Sequence, residues 1–158
     1  MTSGTIIVWL RRDLRVDDRP ALTAAAVSGA PVLPVFIWNP GELEESTPGP
    51  ASRWWLHHSL ERLRRTLKRL GSPLVICVGD ALTELQRLIS ETGARAVYWN
   101  RCSEPAFIER DRIIKAELQS DIEVRSFSSG KKASPGIRSL MRGCENCGTP
   151  AGCTIASG

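Results

Sequence analysis

The sequence has no apolar run long enough to cross a bilayer. Its longest runs reach six or seven residues, against about 20 for a spanning helix. Met1 to Thr5 is too short and too polar for a signal peptide, and it lacks the Arg- and Ser-rich length of an organelle transit sequence. An intracellular chain, cytoplasmic or nuclear, is the expectation. No Gly-rich phosphate loop follows the first apolar run: neither G-x-G-x-x-G nor G-x-x-x-x-G-K-S/T occurs, which argues against a generic nucleotide-binding module. G-x-S-x-G and H-E-x-x-H are missing too. The histidines are two and adjacent, His57 and His58; on a helix they diverge by about 100° and cannot form an i,i+4 metal pair. The five cysteines are an odd count, unlike a secreted disulfide framework. Cys77 lies in an apolar run and reads as core. Cys144, Cys147 and Cys153 offer three of the four ligands that a closed zinc site needs, and no histidine lies near them.

What is present fits one soluble domain with a tail. The chain has 158 residues, 42% apolar and 24% charged, the ordinary balance of a globular protein. The net charge of +4 is unevenly spread: residues 1–130 hold 17 Lys+Arg against 16 Asp+Glu, and residues 131–158 hold four Lys/Arg against Glu145. The body as a whole therefore has little attraction to a phosphate backbone. Residues 131–158 have few large apolar side chains and are rich in Gly, Ser and Pro. Such a stretch buries too little surface to offset its ordering entropy. A mostly disordered basic tail is expected, with one short helical turn near Ile137 to Met141.

Five strands alternating with four helices fill residues 5–130. The strands are read at 5–10, 32–38, 73–79, 96–99 and 122–127. Pro34 counts against a central place for the second, since it lacks a ladder donor. Asp17 or Asp18 can cap the first helix, and Ser52 to Leu70 carries a leucine stripe at 56, 60, 63, 67 and 70. Asp80 caps and Gly93 ends the third helix. Ser103 precedes a fourth, with Phe107, Ile114 and Leu118 inward. Apolar strands alternating with helices predict an α/β fold: a doubly wound, five-stranded parallel sheet of order 3-2-1-4-5, Rossmann-like, with helices on both faces.

In such a sheet, ligands bind beyond the carboxyl ends of the strands where strand order reverses. The residues just past strands one and four are Arg11 to Arg15 and Asn100 to Glu104, with Trp38 past strand two as an aromatic wall. The dense charge of "RRDLR" has two readings at this point: mutual bracing of a tight loop, or ligand contact. The candidate binding residues are Arg11, Trp38, Asn100, Arg101 and Glu104. Asp13 and Arg15 are expected chiefly to brace. The basic residues at 62, 64, 65, 68 and 69 lie off the leucine stripe and read as a solvated helix face, with contact to nucleic acid or a partner as the alternative.

The stretch "VWLRRDLRVDDRPAL" closely resembles the opening of the photolyase/cryptochrome family, W-F/L-R-x-D-L-R-x-x-D-N-P-A-L. "PVLPVFIWNP", "SRWWLHHSLERL", "AVYWNRCSEPAFIERD" and "VRSFSSG" resemble its later segments in the same order. The likeness covers about residues 5–130. It implies an α/β domain that holds an antenna chromophore (folate, deazaflavin or flavin). In the family this domain precedes a helical domain that holds FAD and docks on damaged DNA. Residues 131–158 do not resemble that continuation, so the chain is expected to be a truncated or alternatively ended product without the FAD site. Nucleic acid would then be reached only through the missing domain, and photochemistry by the isolated chain is not expected. The family's D-N-P becomes Asp18-Arg19-Pro20 here. Asn100 and Glu104 match its N-x-x-x-E positions. Two polar residues that grip the pterin in some folate-binding members are replaced by Ala106 and Phe107, which argues against that folate pose. The expected role is that of the antenna domain of a light-dependent pyrimidine-dimer repair enzyme or a blue-light receptor. The alternative is a non-enzymatic fragment that docks on full-length relatives, through their helical FAD domain or otherwise.

Overall fold

The computed structural model describes residues 4–11, 14, 19–39, 49–128 and 154–155. The expectations for Asp13, Arg15, Asp17, Asp18, the 137–141 turn and the three tail cysteines lie outside these residues.

Five strands, β1 (Ile6–Leu10), β2 (Val32–Trp38), β3 (Val75–Val78), β4 (Ala96–Asn100) and β5 (Glu123–Phe127), alternate with four helices. The helices are α1 (Pro20–Val27), α2 (Pro50–Arg69), α3 (Ala81–Thr92) and α4 (Pro105–Leu118). The five strands are parallel in the order 3-2-1-4-5, as the strand–helix alternation predicts. A short sixth strand, β6 (Thr154–Ile155), adds antiparallel to the β3 edge. This is a tail contribution that composition does not announce.

β1 is central and buried along its whole length, which is why it reads as unbroken Ile-Ile-Val-Trp-Leu. Its period of two divides the core. Ile6, Val8 and Leu10 face Leu22, Ala25, Leu63 and Leu67 of α1 and α2. Ile7 and Trp9 face Leu85, Leu88, Ile114 and Leu118 of α3 and α4. Each such fully buried aliphatic contributes about 1.5–3 kcal/mol. Pro34 sits inside β2 and pairs with Val8, but the registered pairs with β3 begin only at Val35. The proline precedes that ladder and spares it a missing donor. Cys77 is core, 1% exposed, and is disulfide-bonded.

Among the described residues no helix is long and apolar enough to cross a membrane, and no cluster of His, Cys, Asp and Glu could hold a metal ion.

Candidate functional site

The crest of the sheet lies where β1 and β4 run side by side, with their helices departing to opposite faces. The last residues of these strands alternate as the earlier ones do. Arg11 follows Trp9 onto the α3/α4 side. Its NH1 donates to Asp111 Oδ1 of α4 at 2.6 Å, its NH2 donates to the carbonyl of Asn100, and its guanidinium carbon lies 4.8 Å from the Trp9 ring centroid. The two side chains of the ion pair are only 9% and 13% exposed. Arg11 thus ties β1, β4 and α4 together. Read from sequence as a candidate binding residue, Arg11 is a guanidinium held inside the domain.

Asn100 projects to the other face. It is 7% exposed, and its Oδ1 accepts from the backbone N–H of Ala21 at 3.1 Å. That N–H is one of the orphan donors of α1's first turn. The N-cap residue of α1, Arg19, makes no side-chain cap bond. A residue 79 positions away in sequence therefore supplies the cap. The signal in the sequence is the pair Arg19-Pro20: proline can open the helix, but the arginine before it offers no acceptor, which leaves the first-turn N–H groups open to a distant one.

Arg101 is exposed. Its backbone N–H donates to Phe127 O at 2.7 Å, and its Nε donates to Ser126 Oγ at 3.1 Å. Glu104 is the exposed N-cap residue of α4. Its carbonyl accepts from Phe107 N and Ile108 N at 3.1 Å each, while its side chain makes no cap bond. Trp38 ends β2 half-buried against the α1/α2 core, and its carbonyl accepts from Gly79 N at 2.9 Å. Strand alternation therefore puts Trp38 and the Asn100 side chain on the α1/α2 face and Arg11 on the α3/α4 face. The structure brings Arg11 to Asn100 and Arg101 to β5. It does not set Arg11 on the same face as Trp38.

Two residues behind Arg11 the sheet carries an aromatic pair that sequence reasoning missed. Trp9 and Trp99 are register partners, with ring centroids 5.6 Å apart and planes at 75°. They are 3% and 1% exposed. Neither indole Nε1 has a hydrogen-bond partner among the described residues, a cost of about 1–3 kcal/mol apiece. The Arg110 guanidinium of α4 lies over Trp9 at 5.2 Å and over Phe107 at 4.8 Å. The W-x-R spacing of Trp9 and Arg11, read as one strand face, is the signal that could have found this layer.

The DNA photolyase family model matches residues 6–136. The chain is 45% identical over 132 residues to the deoxyribodipyrimidine photo-lyase of Agrobacterium fabrum, covering 81% of this chain and 26% of that protein. It is 42% identical over 143 residues to cryptochrome-1 of Sinapis alba, covering 89% and 28%. Among solved structures, a class III photolyase from Agrobacterium tumefaciens matches with a TM-score of 0.74 at 45% identity, over 81% of this chain and 26% of that one. An archaeal photolyase from Sulfolobus tokodaii, solved with two FAD molecules, matches with a TM-score of 0.70 at 28% identity, over 78% and 29%. The chain spans about a quarter of the length of the curated relatives it matches. The sheet order and the family match through residue 136 agree: the chain belongs to the DNA photolyase family, as its N-terminal α/β domain.

Proposed function

We propose that this domain is an antenna module: it holds a planar, anionic or aromatic chromophore at the crest and contributes binding rather than bond-breaking chemistry. The observation that carries the reading is what the crest leaves on offer. Arg11 and the Asn100 carboxamide oxygen are bonded within the domain. Trp38 remains half-buried at the end of β2, and Arg101 is exposed past β4. A ring wall and a cation suit a flat chromophore with an anionic edge, such as folate, deazaflavin or flavin. Trp38 would stack on its ring from the α1/α2 side of the strand ends, and the guanidinium N–H groups of Arg101 not engaged by Ser126 would meet its charge from the α3/α4 side, with Glu104 at the rim. Arg11 and Asn100 position the loop between β4 and α4 from behind.

Photolyases and cryptochromes match this chain to a like degree, so the module is common to both. The parent activity on this reading is light-dependent repair or blue-light sensing, carried by residues outside this span.

The experiment is fluorescence titration of the purified chain with the three chromophores. Binding of at least one is expected at or below about 1 mM, worth about 4 kcal/mol. Arg101→Ala should weaken it about tenfold or more, the loss of one charge-assisted bond, with an unchanged melting temperature because the side chain is exposed. Trp38→Ala should weaken it by a similar factor. No binding of any of the three, or full affinity in both variants, contradicts the proposal.

A further inference from the structure

α2 gathers charge and exposed aromatic rings on one ridge. Pro50–Arg69 holds six Lys/Arg and a single acid, Glu61, while the other residues up to 130 hold 11 Lys+Arg against 15 Asp+Glu. Buried Leu63 and Leu67, with Leu56 and Leu60 packed partly against the core, fix the inward side. At 100° per residue, Trp54, His58, Arg62, Arg65 and Arg69 then fall on the outward side, along about 22 Å of helix. Trp54 is 58% and Trp55 67% exposed. Their rings meet edge to face at 5.6 Å, and the His58 ring lies 4.2 Å from that of Trp54. Arg65 pairs with Glu61; Arg62, Lys68 and Arg69 are exposed and make no ion pair among the described residues.

We infer that this ridge binds single-stranded nucleic acid. Cations spaced along a helix neutralise a string of phosphates, and exposed indoles at one end stack on unpaired bases. An acidic peptide would satisfy the arginines but bring the indoles no flat partner. A duplex would keep its base faces stacked on one another. The surface runs along α2, whose amino end follows the carboxyl end of β2, and the inference does not depend on the chromophore reading.

The test is fluorescence anisotropy of the full 158-residue chain with a labelled oligothymidylate of about 12 nucleotides, within the usual site size of such proteins. With Arg62, Arg65, Lys68 and Arg69 on phosphates, affinity should fall about 50-fold between about 50 and 200 mM salt. The double variant Trp54→Ala/Trp55→Ala should bind about tenfold weaker or worse with the salt slope unchanged. Arg62→Glu/Arg69→Glu should lower the slope by about half. All four side chains are exposed, so melting temperatures should match the parent chain. Lys131→Ala/Lys132→Ala should bind as the parent does. Four results overturn the inference: no binding at about 50 mM salt, an unaltered affinity in the tryptophan pair, loss of binding confined to the Lys131/Lys132 variant, or equal competition by polyglutamate, which would mark a site for acidic protein.

Discussion

Arg11 shows how a conspicuous charge can be spoken for by a residue far away. Asp111, 100 positions on, holds it in a setting where both side chains are largely out of water. Losing one partner of a buried pair costs about 3–5 kcal/mol, because the other charge is left stranded. Arg11→Ala should therefore lower stability by about 3 kcal/mol, and adding Asp111→Ala should recover part of that. Urea denaturation of the three variants measures the coupling. A cost below about 1 kcal/mol, the figure for an exposed pair, would show that Arg11 does not brace the crest. Asn100 makes a second case. Its role as a tertiary cap for α1 predicts that Asn100→Ala costs about 1 kcal/mol. Asn100→Asp keeps the acceptor and places a negative charge at a helix N-terminus, so it should cost much less. Thermal melts separate the two; equal losses would place Asn100's contribution elsewhere than in the cap.

At the scale of elements, local sequence marks some helix ends and not others. α3 has an intrinsic start and stop. Asp80 Oδ2 accepts from Thr83 N at 3.0 Å and Thr83 Oγ1 at 3.1 Å, and Gly93 takes the left-handed C-cap at φ 63°, a conformation that suits glycine. Asp80→Ala should cost about 1 kcal/mol, seen as a lower urea midpoint with an unchanged slope; no shift would mean that packing of Ala81, Leu85 and Leu88 alone carries the helix. The other helix starts departed from expectation. α2 begins at Pro50 behind Gly49, two residues before Ser52, where the leucine-striped segment is read to start. α4 is preceded by Glu104 at the cap position, not Ser103. In both, proline at the first helical position, with its φ already near helical values, sets the start without a side-chain acceptor. Pro34 was the reverse case: a residue that argued against a central strand proved compatible because the neighbouring ladder starts one residue later.

Across the whole molecule, the sheet order was legible because strand–helix alternation and the right-handed crossover leave few topologies. The crest was legible as a place, since ligand sites in such sheets follow topology. Its division of labour was not. Which arginine braces and which stays exposed depends on the strand's two-residue period and on contacts 79 and 100 residues apart, and no local pattern encodes those. The most direct test of the account is a two-dimensional amide NMR titration of the full chain with whichever chromophore binds. Shifts should concentrate at the carboxyl ends of β2 and β4, from Phe36 to Asn39 and from Asn100 to Glu104. The amino-end turns around Gly4, Pro31 and Arg95 should stay unmoved. Shifts confined to α2 or to the amino ends of the strands would contradict the claim that the crest is where this domain holds its ligand.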